Sequence, residues 1–137
     1  MWTCPKCKRN FKTKNQSHSC VQTKVEDLFQ NLPPVIKAMY DELARKCSEF
    51  CEIKTDTTKS CIYFLENEYR YLAIKPRPSG LILEFILNRK EDIFPVINTF
   101  EMSKYQVVHR IKLDSVEDIN DQILGWIQEA WELKKPK

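Results

Sequence analysis

The first twenty residues, MWTCPKCKRNFKTKNQSHSC, hold the side chains best suited to chemistry. Cys4, Cys7, His18 and Cys20 form the pattern C-x2-C-x10-H-x-C. Three thiolates and one imidazole in two close pairs suit a single tetrahedral metal ion, and zinc is the default for that donor set. So short a stretch has only Trp2, Phe11 and Val21 as sizeable apolar side chains, too few for a core. The metal must then supply the ordering free energy, roughly 10–16 kcal/mol for structural zinc in finger peptides near neutral pH. Pro5 fixes its own φ between Cys4 and Cys7 and favours a tight knuckle. Phe11, four residues past Cys7, stands where an aromatic ring packs on the metal-bound turn of two-Cys two-His fingers. His18-Ser19-Cys20 is more closely spaced than the second ligand pair of those fingers, which argues for a knuckle rather than a recognition helix. A redox C-x-x-C pair normally opens a helix after a strand, and only three residues precede Cys4. Four protein ligands also close the coordination sphere, so the expected cofactor is one structural zinc ion rather than a catalytic one.

The charge is distributed unevenly. Residues 1–24 contain Lys6, Lys8, Arg9, Lys12, Lys14 and Lys24 and no acid, whereas residues 25–137 contain the other 16 basic residues and all 19 acidic ones. The formal charges are therefore +6 and −3, before counting the zinc centre, whose three thiolates on one Zn2+ leave −1. Basic residues interleaved with ligands would be held as a fixed patch. Lys6, Lys8, Arg9, Lys12 and Lys14 are accordingly the candidate phosphate contacts of a nucleic-acid partner, with Trp2 and Phe11 offering ring faces.

The remaining chain must supply the scaffold. Val25, Leu28 and Phe29 suggest one helical turn docked on a main domain. From Pro34 the apolar residues Val35, Ile36, Met39, Tyr40, Leu43, Cys47, Phe50 and Cys51 recur at helical steps, predicting an amphipathic helix of about five turns. Cys47 and Cys51 share a face, and with Cys61 they invite a second metal site. The same face holds Met39, Leu43 and Phe50, so core packing is the expected role of these thiols. Residues 60–65, 69–75 and 81–87 alternate as strands joined by two short links, an antiparallel meander. Pro76 and Pro78 give the second link its turn chemistry. Residues 88–103 are ambiguous, with a short helix near 92–98 suggested. Residues 105–113 alternate again, with Tyr105, Val107, His109, Ile111 and Leu113 on one side. Ser115 and Asp118 resemble a capping box for a C-terminal helix, whose Gly125 suggests a close approach to the sheet.

The expected fold class is α+β: an antiparallel sheet of about four strands in two layers with two long helices on one face, preceded by a small zinc-binding knuckle. The expected domains are residues 1–24 and 25–137. Six cysteines with no secretory leader before Cys4 point to a cytoplasmic protein, and no apolar run approaches a membrane span.

The opening MWTCPKC…F…NQSHSC resembles the start of a bacterial family of small uncharacterised proteins in which a Cys3His zinc-binding segment precedes a domain of unknown function. TKSCIYF at 58–64, YLAIKPRPSGLIL at 71–83 and YQVVHRIKLDSVEDINDQILGWIQEAW at 105–131 are similar to that domain. Elsewhere it is described only as a predicted transport-protein domain, or it stands beside nuclease-like domains. The resemblance implies an α+β fold in a bacterial cytosol and supplies no reaction.

Within the matching stretches, Lys59, Arg70, Lys75, Arg77 and His109 are the polar candidates. If Lys59, Arg77 and His109 converged they would form a cationic pocket for phosphate or carboxylate. His109, flanked by Val107 and Ile111, reads more readily as a packed histidine. No nucleophile elbow, P-loop, dinucleotide fingerprint or HExxH helix is present, and two glycines cannot make a glycine-rich cradle. An enzyme is therefore not the expected class. The expectation is a nucleic-acid-associated module. The alternative is a non-catalytic domain that binds a protein partner or a small anion and uses zinc as a clip.

Overall fold

The computed structural model describes residues 2, 3, 5, 10–12 and 24–134. At the N-terminus, β1 (Trp2–Thr3) pairs antiparallel with β2 (Asn10–Phe11), matching Trp2 with Phe11 and Thr3 with Asn10. The Thr3 hydroxyl donates to Asn10 Oδ1 at 2.6 Å.

A 3-10 turn at Val25–Phe29 follows, its start tied by the Lys24 N–H donating to the Asp27 carboxylate at 3.0 Å. Phe29 is buried, and Val25 and Leu28 pack against the core, as their spacing suggests. The helix α1 (Pro34–Cys47) opens on proline, whose missing N–H falls where a helix has no acceptor for it. Ile36, Met39, Tyr40, Leu43 and Cys47 form its buried stripe. The helix stops at Cys47 rather than running to Cys51. Glu49 and Phe50 donate to Lys46 and Cys47 three residues back, so the backbone tightens into turns.

Six strands form one antiparallel sheet: β3 (Thr55–Thr57), β4 (Ile62–Glu66), β5 (Tyr69–Arg77), β6 (Gly80–Leu87), β7 (Val96–Ser103) and β8 (Gln106–Leu113). Their order is β3-β4-β5-β6-β8-β7, a meander followed by an outer strand and an inserted last strand. The sequence suggests about four strands; the two additions are the edges. β3 has only three polar residues, and β7 follows the cis Phe94–Pro95 bond, in the stretch 92–98 where the sequence suggests a short helix. The β4–β5 link places Asn67 and Glu68 at φ 49° and 74°, the two positive values a type I′ hairpin needs. In the β5–β6 hairpin, Gly80 has φ 156°, and a Cβ there would lie 2.1 Å from the Leu113 carbonyl oxygen.

The C-terminal start signal belongs to a separate 3-10 turn, Val116–Asp118. The Asp118 carboxylate accepts from the Asp114 and Ser115 N–H groups at 2.8 and 3.1 Å. The chain then turns extended at Ile119, and α2 (Asp121–Lys134) begins anew, with Asn120 Oδ1 accepting from the Ile123 N–H at 3.0 Å. Both helices cover the same sheet face. Tyr40 of α1 meets Phe64 of β4 at 6.1 Å between ring centroids, and Trp126 of α2 meets Phe85 of β6 at 6.0 Å. Gly125 lies on the exposed side of α2 with nothing within 4 Å of a built Cβ, so it does not serve a close approach to the sheet.

Candidate functional site

Period-two alternation puts Ile62, Phe64, Leu72, Ile74, Leu83, Phe85, Ile111 and Leu113 under the helices, all of them buried. Among the described residues, it leaves the opposite face of the sheet without a helical layer. Across that face the register aligns Asp56, Tyr63, Ala73, Glu84, Arg110 and Asn98 in one row. Lys75, Ile82 and Lys112 align in the next row on one side, and Ile86, Val108 and Phe100 on the other.

One irregularity changes what this face presents. Phe64 pairs with Leu72, but Leu65 pairs with Arg70, so Tyr71 is the extra residue of a bulge. Tyr71 and Leu72 are both buried in consequence. Simple alternation from Leu72 would send Arg70 to the helix side; the bulge turns it to the open face. There its guanidinium lies 3.9 Å from the centroid of the Tyr63 ring and 3.0 Å from Asp56 Oδ2.

Glu84 is the centre of the polar cluster, its side chain 17% exposed. Lys75 Nζ stands 2.5 Å from one carboxylate oxygen and Arg110 Nη2 donates to the other at 3.0 Å. Burial alone would raise this carboxyl; hydrogen bonds and charge from Lys75 and Arg110 outweigh it and hold the group below the ordinary carboxylate value. Beside the cluster is a cavity of about 240 Å³ lined by Tyr63, Arg70, Lys75, Glu84, Ile86 and Val108, among others. It combines an apolar floor with cations at the rim, a composition suited to a planar or anionic group.

The strand residues of the open face comprise five bases, Arg70, Lys75, Arg77, Arg110 and Lys112, against two acids, Asp56 and Glu84. Subtracting these from the 16 and 19 of residues 25–137 leaves 11 bases and 17 acids elsewhere. The face is +3 and the remainder −6. Lys112 also has Asp114 at 3.6 Å at the strand end.

The residues expected to form a pocket are not brought together. Lys59 is exposed in the loop before β4. Arg77 ends β5 on the open side, donating to the Pro76 carbonyl at 3.0 Å. His109 lies on the helix side, fully buried and stacked on Phe85 at 5.6 Å. It pairs with Phe85 whereas Arg77 pairs with Gly80, five residues along β6, roughly 17 Å at strand rise. His109 is a structural tie. Nδ1 lies 2.9 Å from the Val107 carbonyl, and Nε2 accepts from the Glu91 N–H at 2.8 Å. A carbonyl only accepts and an amide N–H only donates, so the proton sits on Nδ1 and the ring is neutral. Burial, helped by the Arg89 charge, pushes its pKa below the ordinary value, against the pull of Val107, Glu91 and Glu129.

Cys4, Cys7, His18 and Cys20, with Lys6, Lys8, Arg9 and Lys14, lie outside the described residues. Lys12 is exposed. Cys47 is fully buried in the core, its thiol pushed up to about 12 by burial, in keeping with a packing role. Cys51 Sγ lies 3.3 Å from the Tyr71 hydroxyl. No three His, Cys, Asp or Glu side chains gather as metal ligands among the described residues. No helix among them is long and apolar enough to cross a membrane.

An α+β domain with two helices on one face of a six-stranded antiparallel sheet, and a basic other face that no helix among the described residues covers, is the class that the geometry defines. By sequence the chain belongs to the DUF5655 family, a domain of unknown function that matches residues 25–134. No curated protein and no solved structure matches it.

Sequence reasoning singled out Arg70, Lys75 and Arg77 but missed Glu84, Arg110 and Lys112. The available signal was the alternation of Glu84 with Leu83 and Phe85, and of Arg110 and Lys112 with Ile111. Charges that alternate with core residues must share the opposite face.

Proposed function

We propose that the chain is a nucleic-acid-associated binding module, without catalytic activity, whose N-terminus is stapled by one structural zinc ion held by Cys4, Cys7, His18 and Cys20. Lys6, Lys8, Arg9, Lys12 and Lys14 contact phosphates. The observation that supports this reading is the pairing of β1 with β2. It brings together, in antiparallel register, the two short stretches that flank Cys4-Pro5-Lys6-Cys7 in the sequence, an arrangement compatible with a zinc knuckle. The donor set of three thiols and one imidazole fits zinc, which would supply ordering and no reaction. In the sequence the basic residues are interleaved with the four ligands, so a bound zinc would hold their charge as a fixed patch.

The test is fluorescence anisotropy of zinc-loaded full-length protein with short single- and double-stranded DNA and RNA at two salt concentrations. Wild type binds with steep salt dependence, and the triple variant Lys8→Glu, Arg9→Glu, Lys12→Glu loses at least about tenfold. Equal binding by the triple variant sinks the reading. The cavity beside Lys75 and Arg110 favours a second one, a site for a small anion, which the same protein tests by calorimetry with inorganic phosphate.

A further inference from the structure

The open sheet face has a net charge of +3 in a stretch, residues 25–137, that is otherwise −6, and its charge stands among rings and apolar side chains. We propose that this face binds single-stranded nucleic acid. Bases lie on the Tyr63–Arg70 stack and on Phe100, and phosphates are taken by Lys75, Arg110 and Lys112. The proposal deepens the nucleic-acid reading above and rests on it.

Three observations carry the argument. The first is charge complementarity. A +3 face on a domain whose remainder is −6 turns one side only toward a polyanion. The second is the material between the cations. Ile82, Ile86, Val108 and Phe100 share the face, and Phe100 is 67% exposed. A duplex shows phosphates outward and hides its base planes, so these side chains would meet nothing complementary on it. An unpaired strand splays its bases, and aromatic and guanidinium planes on an open sheet receive them. The third is geometry. Tyr63 on β4 and Phe100 on β7 are separated by four strand-to-strand steps, roughly 19 Å, with Lys75, Arg110 and Lys112 on the strands between. A strand crossing the sheet meets a stacking surface at each side and cations in the middle.

Glu84 offsets part of this array's charge rather than touching the ligand. It holds Lys75 and Arg110 on either side of its carboxylate and leaves that cluster at +1. Removing its charge while keeping its shape should therefore tighten binding, whereas a merely structural role would weaken it.

The experiment uses zinc-loaded full-length protein and fluorescein-labelled oligo-dT of about ten nucleotides beside a duplex of equal length. Arg70→Glu with Lys112→Glu weakens single-strand binding about tenfold and flattens its salt dependence. Phe100→Ala weakens it about fivefold, the size of one lost stack, and leaves duplex binding unchanged. Glu84→Gln tightens it. Photo-crosslinking of wild type to iododeoxyuridine-substituted oligo-dT, which needs no variant to fold, labels the peptides containing Tyr63 or Phe100. Wild-type affinity in both face variants, or crosslinks confined to residues 1–24, overturns the proposal. If in addition the N-terminal triple variant loses binding, the zinc-module reading stands and only the face is wrong. No binding of any probe by wild type overturns both.

Discussion

His109 shows how far a single residue can be read from its neighbours. Its place between Val107 and Ile111 gave its face, the helix side, and so its burial. Its partners were not readable, because the Glu91 amide comes from a loop with no periodic signal. The two opposed hydrogen bonds fix a neutral ring and make a pH prediction. The folded pKa is lowered, whereas the unfolded chain protonates near an ordinary value of about 6.5. The unfolded state therefore binds the extra proton first, and stability is full above that value and falls as pH drops below it. Urea midpoints should decline from pH 7.5 to 5.5, and the decline should be smaller in His109→Gln. The difference between the two proteins isolates His109. Glu84 acts lower on the scale. Its depressed pKa contributes stability above an unfolded value of about 4.3 that is lost as pH falls through the folded one. Cys47→Ala should cost about 1–2 kcal/mol by thermal melting and leave the zinc content unchanged, since the thiol is part of the packed core.

Among the elements, α1 and the central strands were legible because each buries one face, and burial imposes a period. The edge strands were not. β7 has exposed Ile97, Phe100 and Met102 on a strand with two register shifts, so no alternation survives in its sequence. Nor could the bulge at Tyr71 be seen, because two adjacent buried residues look like any apolar pair. The Ser115–Asp118 signal was read correctly as a cap and assigned to the wrong helix; the true cap of α2 is Asn120. Asn120→Ala should cost about 1 kcal/mol, whereas a helix capped at Ser115 would be indifferent. Gly125→Ala should stabilise by up to about 1 kcal/mol, because the site is open and helical. Glu68→Gly should also raise the melting temperature, since Glu68 holds a positive φ in a two-residue hairpin. Gly80→Ala should destabilise by well over 1 kcal/mol, with the Leu113 carbonyl in the way of the new methyl group.

At the scale of the whole molecule, the apolar core formed by the described residues is drawn from Val25 to Trp131. On the zinc reading proposed above, Cys4→Ser should abolish zinc binding while circular dichroism retains the signal of α1 and α2. Loss of the helical signal on chelation would show that the domain and the metal segment fold as one. The α+β class and the shared side of the helices followed from two periods in the sequence. The bare face did not, because a strand shows which residues alternate and not whether a second layer covers them. That face has a consequence of its own. With +3 on one sheet face and −6 over the other residues of 25–137, the domain's charge is uneven, with that face as a positive side. Such a molecule turns in a field before it touches anything, so encounters with a charged surface are oriented from a distance of about one Debye length. It should adsorb to both anion- and cation-exchange resins near its isoelectric point, presenting a different side to each.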